Sequence, residues 1–184
     1  MAWDLEEIKE YVKNSMSEKR FKHVLGVVET AIMLAKRHSV NVDDATRAAL
    51  LHDVVKEQNL EEAKQILHDK NELGYLEYSS KIWHAPLGGY VASEVFGIEN
   101  EAIINAIRFH TTGREGMSDL EKVLFVADYT EPNRTFAGAI AVREFWDDLD
   151  RAIFEIAKQK IEKNSKLGGK LHPDTLATYE FYKI

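Results

Sequence analysis

Apolar side chains recur every three or four residues along most of this chain, which is the spacing of one face of an α-helix. Proline stands at positions 86, 132 and 173 alone, so the long stretches between these positions are free to be helical. No segment shows the alternating pattern of a half-buried strand. We therefore predict one all-α domain over residues 1–184. Its helices are predicted over 4–15, 17–38, 43 or 44 to 55, 60–68, 79–96, 99–111, 118–129, 138–164 and 175–182.

Residues that begin or break helices refine these boundaries. Ser17 is a typical N-cap for the second helix, and Asp174 for the last one. Pro86, with Gly88-Gly89 just after it, predicts a break inside the helix over 79–96. Gly168-Gly169 predicts the end of the long helix over 138–164.

The composition narrows the classes of protein to which the chain can belong. Its 184 residues carry a formal net charge of −7 and include no cysteine. The lack of cysteine excludes a disulfide scaffold, a cysteine-ligated zinc finger and a thiol enzyme. The negative charge argues against nucleic-acid binding, which needs a spread of positive charge, and no apolar run approaches the ~20 residues of a membrane span. An acidic start without a targeting pattern predicts a cytoplasmic protein.

Four polar side chains interrupt apolar helical stretches. His23 lies in the second predicted helix, His52-Asp53 follows the run Ala-Ala-Leu-Leu in the third, and Asp128 follows Leu124–Ala127. A histidine and an aspartate are costly to bury unpaired, and a divalent ion between them removes that cost. Two nitrogen and two oxygen ligands without sulfur suit iron, manganese or a similar ion. Taken singly, His23 is more often a core or surface histidine, and Asp128 can be a capping residue.

The segments around these residues carry a resemblance that extends from about residue 11 to 182. The two most specific are His110-Thr-Thr-Gly-Arg and Ala127-Asp-Tyr-Thr-Glu-Pro-Asn-Arg. The others are Arg20-Phe-Lys-His-Val-Leu-Gly-Val, Leu51-His-Asp-Val-Val-Lys, His84-Ala-Pro-Leu-Gly and Leu171-His-Pro-Asp-Thr-Leu. Together they resemble the HD-domain metal-dependent phosphohydrolases. The resemblance is closer to one branch, the YqeK family of bacterial symmetrical bis(5′-nucleosyl)-tetraphosphatases.

The resemblance implies a single HD-domain helical bundle with a core over about 17–165. An N-terminal helix precedes this core, and a segment over 166–184 closes over the nucleotide. It also implies that one iron-like ion is bound by His23, His52, Asp53 and Asp128. The residues that it places against the nucleotide product are Arg20, His84, His110, Asp128, Tyr129, Arg134, Lys170, Leu171, His172, Pro173, Asp174 and Thr175.

The implied catalytic residues are two arginines and two histidines. Arg20 and Arg134 would contact phosphates, for which arginine offers paired donors. His84 or His110 would protonate the leaving oxygen. Alternatively, the two histidines ligate a second ion that shares Asp53, so that the site holds one or two ions.

Several other residues have two interpretations. His172 taken alone is a turn residue, and Lys170, which follows a glycine, is a solvated cation. Lys56 either lies beside the ion or complements the end of its helix. Arg114 either supports the phosphates or anchors its loop. His38 and His68 have no motif around them and are predicted to be surface residues.

The resemblance implies hydrolysis of diadenosine tetraphosphate, or of related dinucleotides, to two nucleoside diphosphates. The scaffold also permits a nucleotide phosphomonoesterase or a (p)ppGpp-type alarmone hydrolase, because a fold does not determine a substrate. A non-catalytic nucleotide sensor is a third alternative. The expected partner is a nucleotide rather than a nucleic acid or a membrane, and a homodimer is left open.

Overall fold

The computed structural model of the chain describes residues 3–183, and ten α-helices provide most of their structure. The helices are α1 (Leu5–Ser15), α2 (Glu18–Arg37), α3 (Val42–Leu51), α4 (Leu60–Asp69), α5 (His84–Glu94), α6 (Glu101–Phe109), α7 (Asp119–Thr130), α8 (Ala137–Val142), α9 (Leu149–Lys166) and α10 (Pro173–Phe181). Short 3₁₀ turns cover Leu73–Glu77, Ser80–Ile82 and Arg143–Phe145. Within residues 3–183 there is no strand, so the prediction of an all-α fold is confirmed.

Polar side chains set the starts of the helices, as the sequence pattern requires. Asp4 and Glu7 form a capping box at α1, and Ser118 and Glu121 form another at α7. Ser17 caps α2, where its Oγ accepts a hydrogen bond from the Arg20 backbone N–H over 3.3 Å. Each cap satisfies a backbone donor that has no partner inside its helix.

The main core lies where α2, α3, α6 and α7 pack together, with α9 against α7. The large side chains that are fully buried there include Leu34, Leu51, Ile107, Leu124 and Ile153. Truncating a leucine in such a core to alanine costs roughly 2–5 kcal/mol of stability. This core fixes the positions of the helix ends that carry the polar residues described below.

The third helix ends earlier than predicted. It was expected to reach residue 55, but α3 stops at Leu51 and His52 is its C-cap. The Nδ1 atom of His52 is 2.7 Å from the carbonyl oxygen of Ala49, close to where a continuing helix would place the N–H of Asp53. The backbone then turns tightly, and Lys56 N–H donates to the Asp53 carbonyl over 2.9 Å. The placement of His52-Asp53 inside a helix was therefore wrong, and the pair lies at a helix end.

The predicted break near Pro86 was also wrong. A 3₁₀ turn covers Ser80–Ile82, and α5 runs from His84 straight through Pro86. Pro86 lies in the first turn of α5, where a missing N–H removes no helical hydrogen bond. The two glycines allow a close approach to α6, because a Cβ at Gly89 would lie 2.5 Å from Arg108 Cγ.

The helix predicted over 138–164 is divided in two. Asp148 caps α9, where its Oδ1 accepts from Arg151 N–H over 3.0 Å. The Arg143 side chain donates to the carbonyl oxygens of Thr130, Glu131 and Arg134 over 2.8–2.9 Å and thereby ties the end of α8 to the end of α7.

The predicted cap of the last helix was wrong as well. His172, rather than Asp174, caps α10, since its Nδ1 accepts from Asp174 N–H over 3.2 Å. Pro173 occupies the first position of the helix, where its fixed φ is favourable.

Candidate metal centre and nucleotide site

Three elements bring the four predicted metal ligands to one point. His23 comes from α2, His52 and Asp53 from the end of α3, and Asp128 from the last turns of α7. The Nε2 atom of His23 is 3.1 Å from Asp128 Oδ1 and 3.6 Å from Asp53 Oδ2. The Nε2 atom of His52 is 3.4 Å from Asp53 Oδ2 and 3.8 Å from Asp128 Oδ1. The predicted ligands are therefore neighbours although they are far apart in sequence.

A second group of side chains meets the other oxygen of Asp53. Its Oδ1 atom is 3.1 Å from His84 Nε2 and 3.8 Å from His110 Nε2. The two Nε2 atoms are themselves 3.1 Å apart. Asp53 therefore joins two buried groups, each with ligand atoms within 4.8 Å of one another.

The cluster fits a divalent ion on the chemistry of its donors. Among the described residues, the buried Nε2 atoms of His23 and His52 have no hydrogen-bond partner. The Nδ1 atom of His52 lies 2.7 Å from the Ala49 carbonyl oxygen, so this nitrogen carries the proton and Nε2 presents a lone pair to the cluster. Two such nitrogens beside two carboxylates form an oxygen-and-nitrogen ligand set. The cluster therefore indicates divalent metal binding.

The ionisation of the cluster follows from its charges. Burial alone would raise the pKa of Asp53, but His52 and His84 hold it well below its usual range. Burial would also raise the pKa of Asp128, and His23 and His52 keep it well below its usual range. Both carboxylates are therefore ionised and able to bind a cation.

Glu131 is a part of the site that sequence reasoning missed. It is 1% exposed, and its Oε1 is 3.0 Å from His23 Nδ1. The backbone N–H and the side-chain amide of Asn133 donate to its Oε2 over 2.7 and 2.9 Å. A Cβ at Gly26 would lie 2.3 Å from that Oε2 atom, so glycine leaves the space that the carboxylate fills. The available signal was a glutamate next to Pro132 in the most specific segment.

Two arginines lie at the edge of the cluster and pair with its carboxylates. Arg20 Nη1 donates to Asp53 Oδ2 over 2.9 Å, and Arg134 Nη2 donates to Asp128 Oδ1 over 3.2 Å. Their side chains are 29% and 36% exposed. Each guanidinium therefore contacts one carboxylate of the cluster and is also accessible to solvent.

The hydrogen bonds of His84 differ from those of the other site histidines. Lys56 Nζ lies 3.0 Å from His84 Nδ1 and 3.0 Å from the Lys81 carbonyl oxygen. An ammonium group donates only, so Nδ1 of His84 accepts and Nε2 carries the proton. His110 has the opposite arrangement, because its Nδ1 lies 2.7 Å from the Ile107 carbonyl oxygen. Burial lowers the pKa of both histidines, and His110 is held well below its usual range.

The C-terminal segment packs on the turn over Leu73–Glu77 rather than directly on the cluster. The His172 ring stacks on Tyr75 with centroids 5.0 Å apart and meets the edge of Tyr78 at 4.7 Å. Lys170 Nζ donates to Glu77 Oε2 over 2.5 Å. In the rest of this segment, Leu171 and Asp174 are half-buried, Pro173 is exposed and Thr175 is buried.

The contacts of Arg114 distinguish its two interpretations, and those of His38 and His68 test the prediction that both are surface residues. Arg114 makes two hydrogen bonds to Glu121, of 2.6 and 2.9 Å, and so anchors its loop. His68 is exposed, as predicted. His38 is not a plain surface residue, because its ring contacts the Trp146 carbonyl oxygen over 2.7 Å.

No helix in the described part of the chain is both long and apolar enough to cross a membrane.

The chain is similar to known proteins over most of its length. Residues 20–133 match the family described as HD domain. The Bacillus subtilis protein named bis(5′-nucleosyl)-tetraphosphatase, symmetrical, is 41% identical over 172 residues, which is 92% of each chain. The Staphylococcus aureus protein of the same name is 37% identical and aligns over 86% of this chain and 84% of its own.

A solved structure gives the same result at the level of the fold. It is a Clostridium acetobutylicum protein described as a predicted HD superfamily hydrolase involved in NAD metabolism. It is 35% identical, superposes with a TM-score of 0.89, and the alignment covers 99% of this chain and 98% of that chain. The protein described here therefore belongs to the HD-domain family and, within it, to the YqeK family of symmetrical bis(5′-nucleosyl)-tetraphosphatases.

Proposed function

We propose that the protein is a divalent-metal-dependent hydrolase that cuts diadenosine tetraphosphate, and related dinucleoside polyphosphates, symmetrically into two nucleoside diphosphates. The observation that carries the proposal is the cluster of the buried residues His23, His52 and Asp53 with the half-buried Asp128, beside two partly exposed arginines. The names of the B. subtilis and S. aureus relatives support the same activity.

The metal would be held by His23 Nε2, His52 Nε2 and one carboxylate oxygen from each of Asp53 and Asp128. Iron is our first assignment, with manganese next, because the donors are nitrogen and oxygen without sulfur. When bound, the ion supplies Lewis acidity toward phosphoryl oxygens and lowers the pKa of water toward neutrality. The proton on His84 Nε2 favours one ion over two, since a protonated nitrogen has no lone pair for a second.

The reaction consumes one water molecule. The oxygen of this water forms a bond to one of the two central phosphorus atoms, and the bond from that phosphorus to the bridging oxygen breaks. The bridging oxygen leaves on the second nucleoside diphosphate. Arg20 and Arg134 would donate hydrogen bonds to the phosphoryl oxygens on which charge develops.

We assign to His84 the protonation of the leaving oxygen: Nε2 would release its proton while Nδ1 takes one from the Lys56 ammonium, so that the His84 ring stays neutral. Its Nε2–H lies in the cluster, and Lys56 holds the opposite nitrogen as an acceptor. His110 Nε2 accepts from His84 across 3.1 Å and keeps that ring in position. Because the two nitrogens of the His84 ring are distinguished in this way, one tautomer of the residue presents its proton to the site.

The nucleoside would lie against Tyr129 and under the segment from Lys170 to Thr175. Tyr129 lines the same cavity as Asp128 and Arg134, which supports a position beside the phosphates. The segment reaches the site through α10, where Thr178 Oγ1 donates to the Thr112 carbonyl over 3.3 Å. This link between α10 and the turn after α6 supports a role for the segment in covering the base and ribose.

A nucleotide panel tests the proposal. Protein loaded with iron or manganese is incubated separately with diadenosine tetraphosphate, nucleoside monophosphates and guanosine tetraphosphate, and the products are separated by chromatography. The expected result is rapid formation of ADP from the dinucleotide and little product from the others. Preferred release of inorganic phosphate from monophosphates, preferred hydrolysis of the alarmone, or no turnover with either metal would contradict it.

A further inference from the structure

Two cavities adjoin the cluster, and Arg134 lines both. The first, which we call the α2 cavity, has a volume of about 540 Å³ and is lined by Ser17, Lys19, Arg20, Lys22, Asn133 and Arg134 together with His23 and two glutamates. The second, the α9 cavity, has a volume of about 650 Å³ and is lined in part by Tyr129, Arg134, Phe136, Lys160, Lys163 and Leu167. Each volume lies in the range of small-ligand pockets.

The α2 cavity is polar and positively charged in a chain whose net charge is −7. Four of its lining residues are lysine or arginine. Its two carboxylates are already paired: Glu57 accepts from the backbone and hydroxyl of Ser17 over 2.7 Å each, and Glu131 accepts from Asn133. The lining therefore has four cations against two carboxylates, and among the described residues Lys19 and Lys22 are the two of these cations that form no ion pair.

The α9 cavity has a different lining. Tyr129 and Phe136 meet edge to face with ring centroids 5.4 Å apart, and Phe136 is 45% exposed. Leu167 is 70% exposed at the same cavity. Exposed aromatic rings are surfaces on which a base can stack, and Lys160 and Lys163 add charge for phosphates. No phenyl, phenol, indole or leucine side chain lines the α2 cavity within the described residues.

We propose that the two halves of the substrate are recognised unequally. The α9 cavity binds one nucleoside diphosphate through its base and its phosphates. The α2 cavity binds the other half through its phosphates alone. Lys19 and Lys22 contact these phosphates, and neither lysine has another role in the site. Arg134, common to both cavities, lies where the two halves join. This inference rests on the proposed function and specifies its substrate.

The proposal makes the second nucleoside dispensable. Adenosine 5′-tetraphosphate keeps one nucleoside and the phosphate chain, so it fills the α9 cavity with its base and the α2 cavity with its terminal phosphates. We expect the unmodified protein to split it into ADP and pyrophosphate with kcat/KM within about tenfold of that for diadenosine tetraphosphate. If the pocket instead made specific contacts with a second base, kcat/KM for adenosine 5′-tetraphosphate would be lower by a hundredfold or more.

A charge-matched pair of variants tests the cavity itself. The double variant Lys19→Ala/Lys22→Ala should raise KM for both substrates at least fivefold, with kcat unchanged. Inhibition by ADP, which fills the α9 cavity, should change less than twofold. The control Lys9→Ala/Lys13→Ala removes the same charge from exposed positions on α1 and should leave KM within twofold. Circular dichroism and thermal unfolding check that all variants are folded.

The outcomes separate the two proposals. Cleavage of the dinucleotide without cleavage of adenosine tetraphosphate overturns the inference and leaves the proposed function standing. Equal effects of the two double variants on KM also overturn it. If the metal-loaded protein cleaves neither substrate, the proposed function is overturned and the inference fails with it.

Discussion

The imidazole of His23 and the carboxylate of Glu131 are joined by a 3.0 Å hydrogen bond between Nδ1 and Oε1. The contact directs His23 Nε2 toward the cluster, where it lies 3.1 Å from Asp128 Oδ1. A carboxylate behind a metal-binding histidine fixes its orientation and raises its basicity. Glu131 fits behind His23 because Gly26, one helical turn later on α2, has no Cβ.

The first prediction concerns Gly26→Ala. The new Cβ would lie 2.3 Å from Glu131 Oε2, so the carboxylate must shift and the His23 contact must weaken. Loss of such a contact lowers metal affinity by roughly 10- to 100-fold. The measurement is a competition titration of the purified protein against a chelator. Alanine is favoured over glycine inside a helix, so the fold should be retained.

Gly74→Ala is the matched control for this substitution. A Cβ at position 74 meets nothing within 4 Å. The metal affinity of the Gly74→Ala variant should therefore equal that of the unmodified protein. Equal affinities for the two alanine variants would show that Glu131 does not support the ion.

Removal of the metal should lower both activity and thermal stability. An ion that binds only the folded state adds about 2.7 kcal/mol when its concentration is 100 times its Kd, which is roughly 5–10 °C in Tm for a chain of this size. Dialysis against a chelator should therefore lower Tm and abolish hydrolysis, and added iron or manganese should restore both. Full activity in excess chelator would refute a metal at this cluster.

Lys56→Met should separate catalysis from binding. The ammonium of Lys56 holds Nδ1 of His84 as an acceptor, and without it both tautomers of His84 become accessible. We expect kcat to fall by about 10- to 100-fold, which is at or below the low end of the roughly 10²- to 10⁴-fold contribution of proton transfer by a side chain because His84 itself remains, with KM within threefold. Nitrogen NMR of labelled histidine reports the tautomer directly.

Lys81→Met is the control for Lys56→Met, because it removes the same charge from an exposed side chain nearby. It should leave kcat and the His84 tautomer unchanged. The role assigned to Lys56 fails if the two variants have the same kcat, or if His84 keeps its proton on Nε2 in Lys56→Met.

Lys160→Met should stabilise the protein and weaken nucleotide binding. Burial, together with repulsion from Arg134 and Lys56, lowers the pKa of Lys160 to about 8 against the attraction of Asp128. Its Nζ donates to the Thr111 carbonyl over 2.5 Å in the wall of the α9 cavity. We expect ADP to inhibit the variant about tenfold less strongly. A rise in Tm accompanied by unchanged ADP inhibition would contradict a phosphate-binding role.

The gain in stability from Lys160→Met should depend on pH. At pH 7 the lysine is protonated in the folded and unfolded states, and the folded state bears the cost of its burial. Between pH about 8 and 10.5 the folded state loses the proton before the unfolded state does, so the unmodified protein gains stability. The difference in Tm between the two proteins should therefore shrink over this interval, and thermal unfolding across that pH range measures it.

Helix content followed from the sequence, whereas several helix boundaries did not. Periodic apolar residues and polar caps indicated α1, α2 and α7 closely. The end of α3 depends on the His52 side chain, which bonds to the Ala49 carbonyl. The division between α8 and α9 depends on Arg143, whose partners lie on the preceding helix and turn. Contacts of this kind cannot be predicted from the local periodicity of the sequence.

The predicted metal ligands were recognisable because polar residues in apolar helices need a compensating partner. Glu131 was not, since its role depends on the glycine at position 26, more than a hundred residues earlier in the chain. The tautomer of His84 likewise depends on Lys56, a residue with an equally simple explanation as a helix-end cation. The role of Glu131 and the tautomer of His84 could be recognised only from distances between residues that are far apart in the sequence.

The central claim is symmetrical cleavage, and product analysis in ¹⁸O-labelled water tests it most directly. Metal-loaded protein is given diadenosine tetraphosphate, and the products are analysed by mass spectrometry. The account predicts two ADP molecules per substrate, with one ¹⁸O atom per pair, located on a β-phosphate. Release of AMP together with ATP, or a label on an α-phosphate, would contradict it.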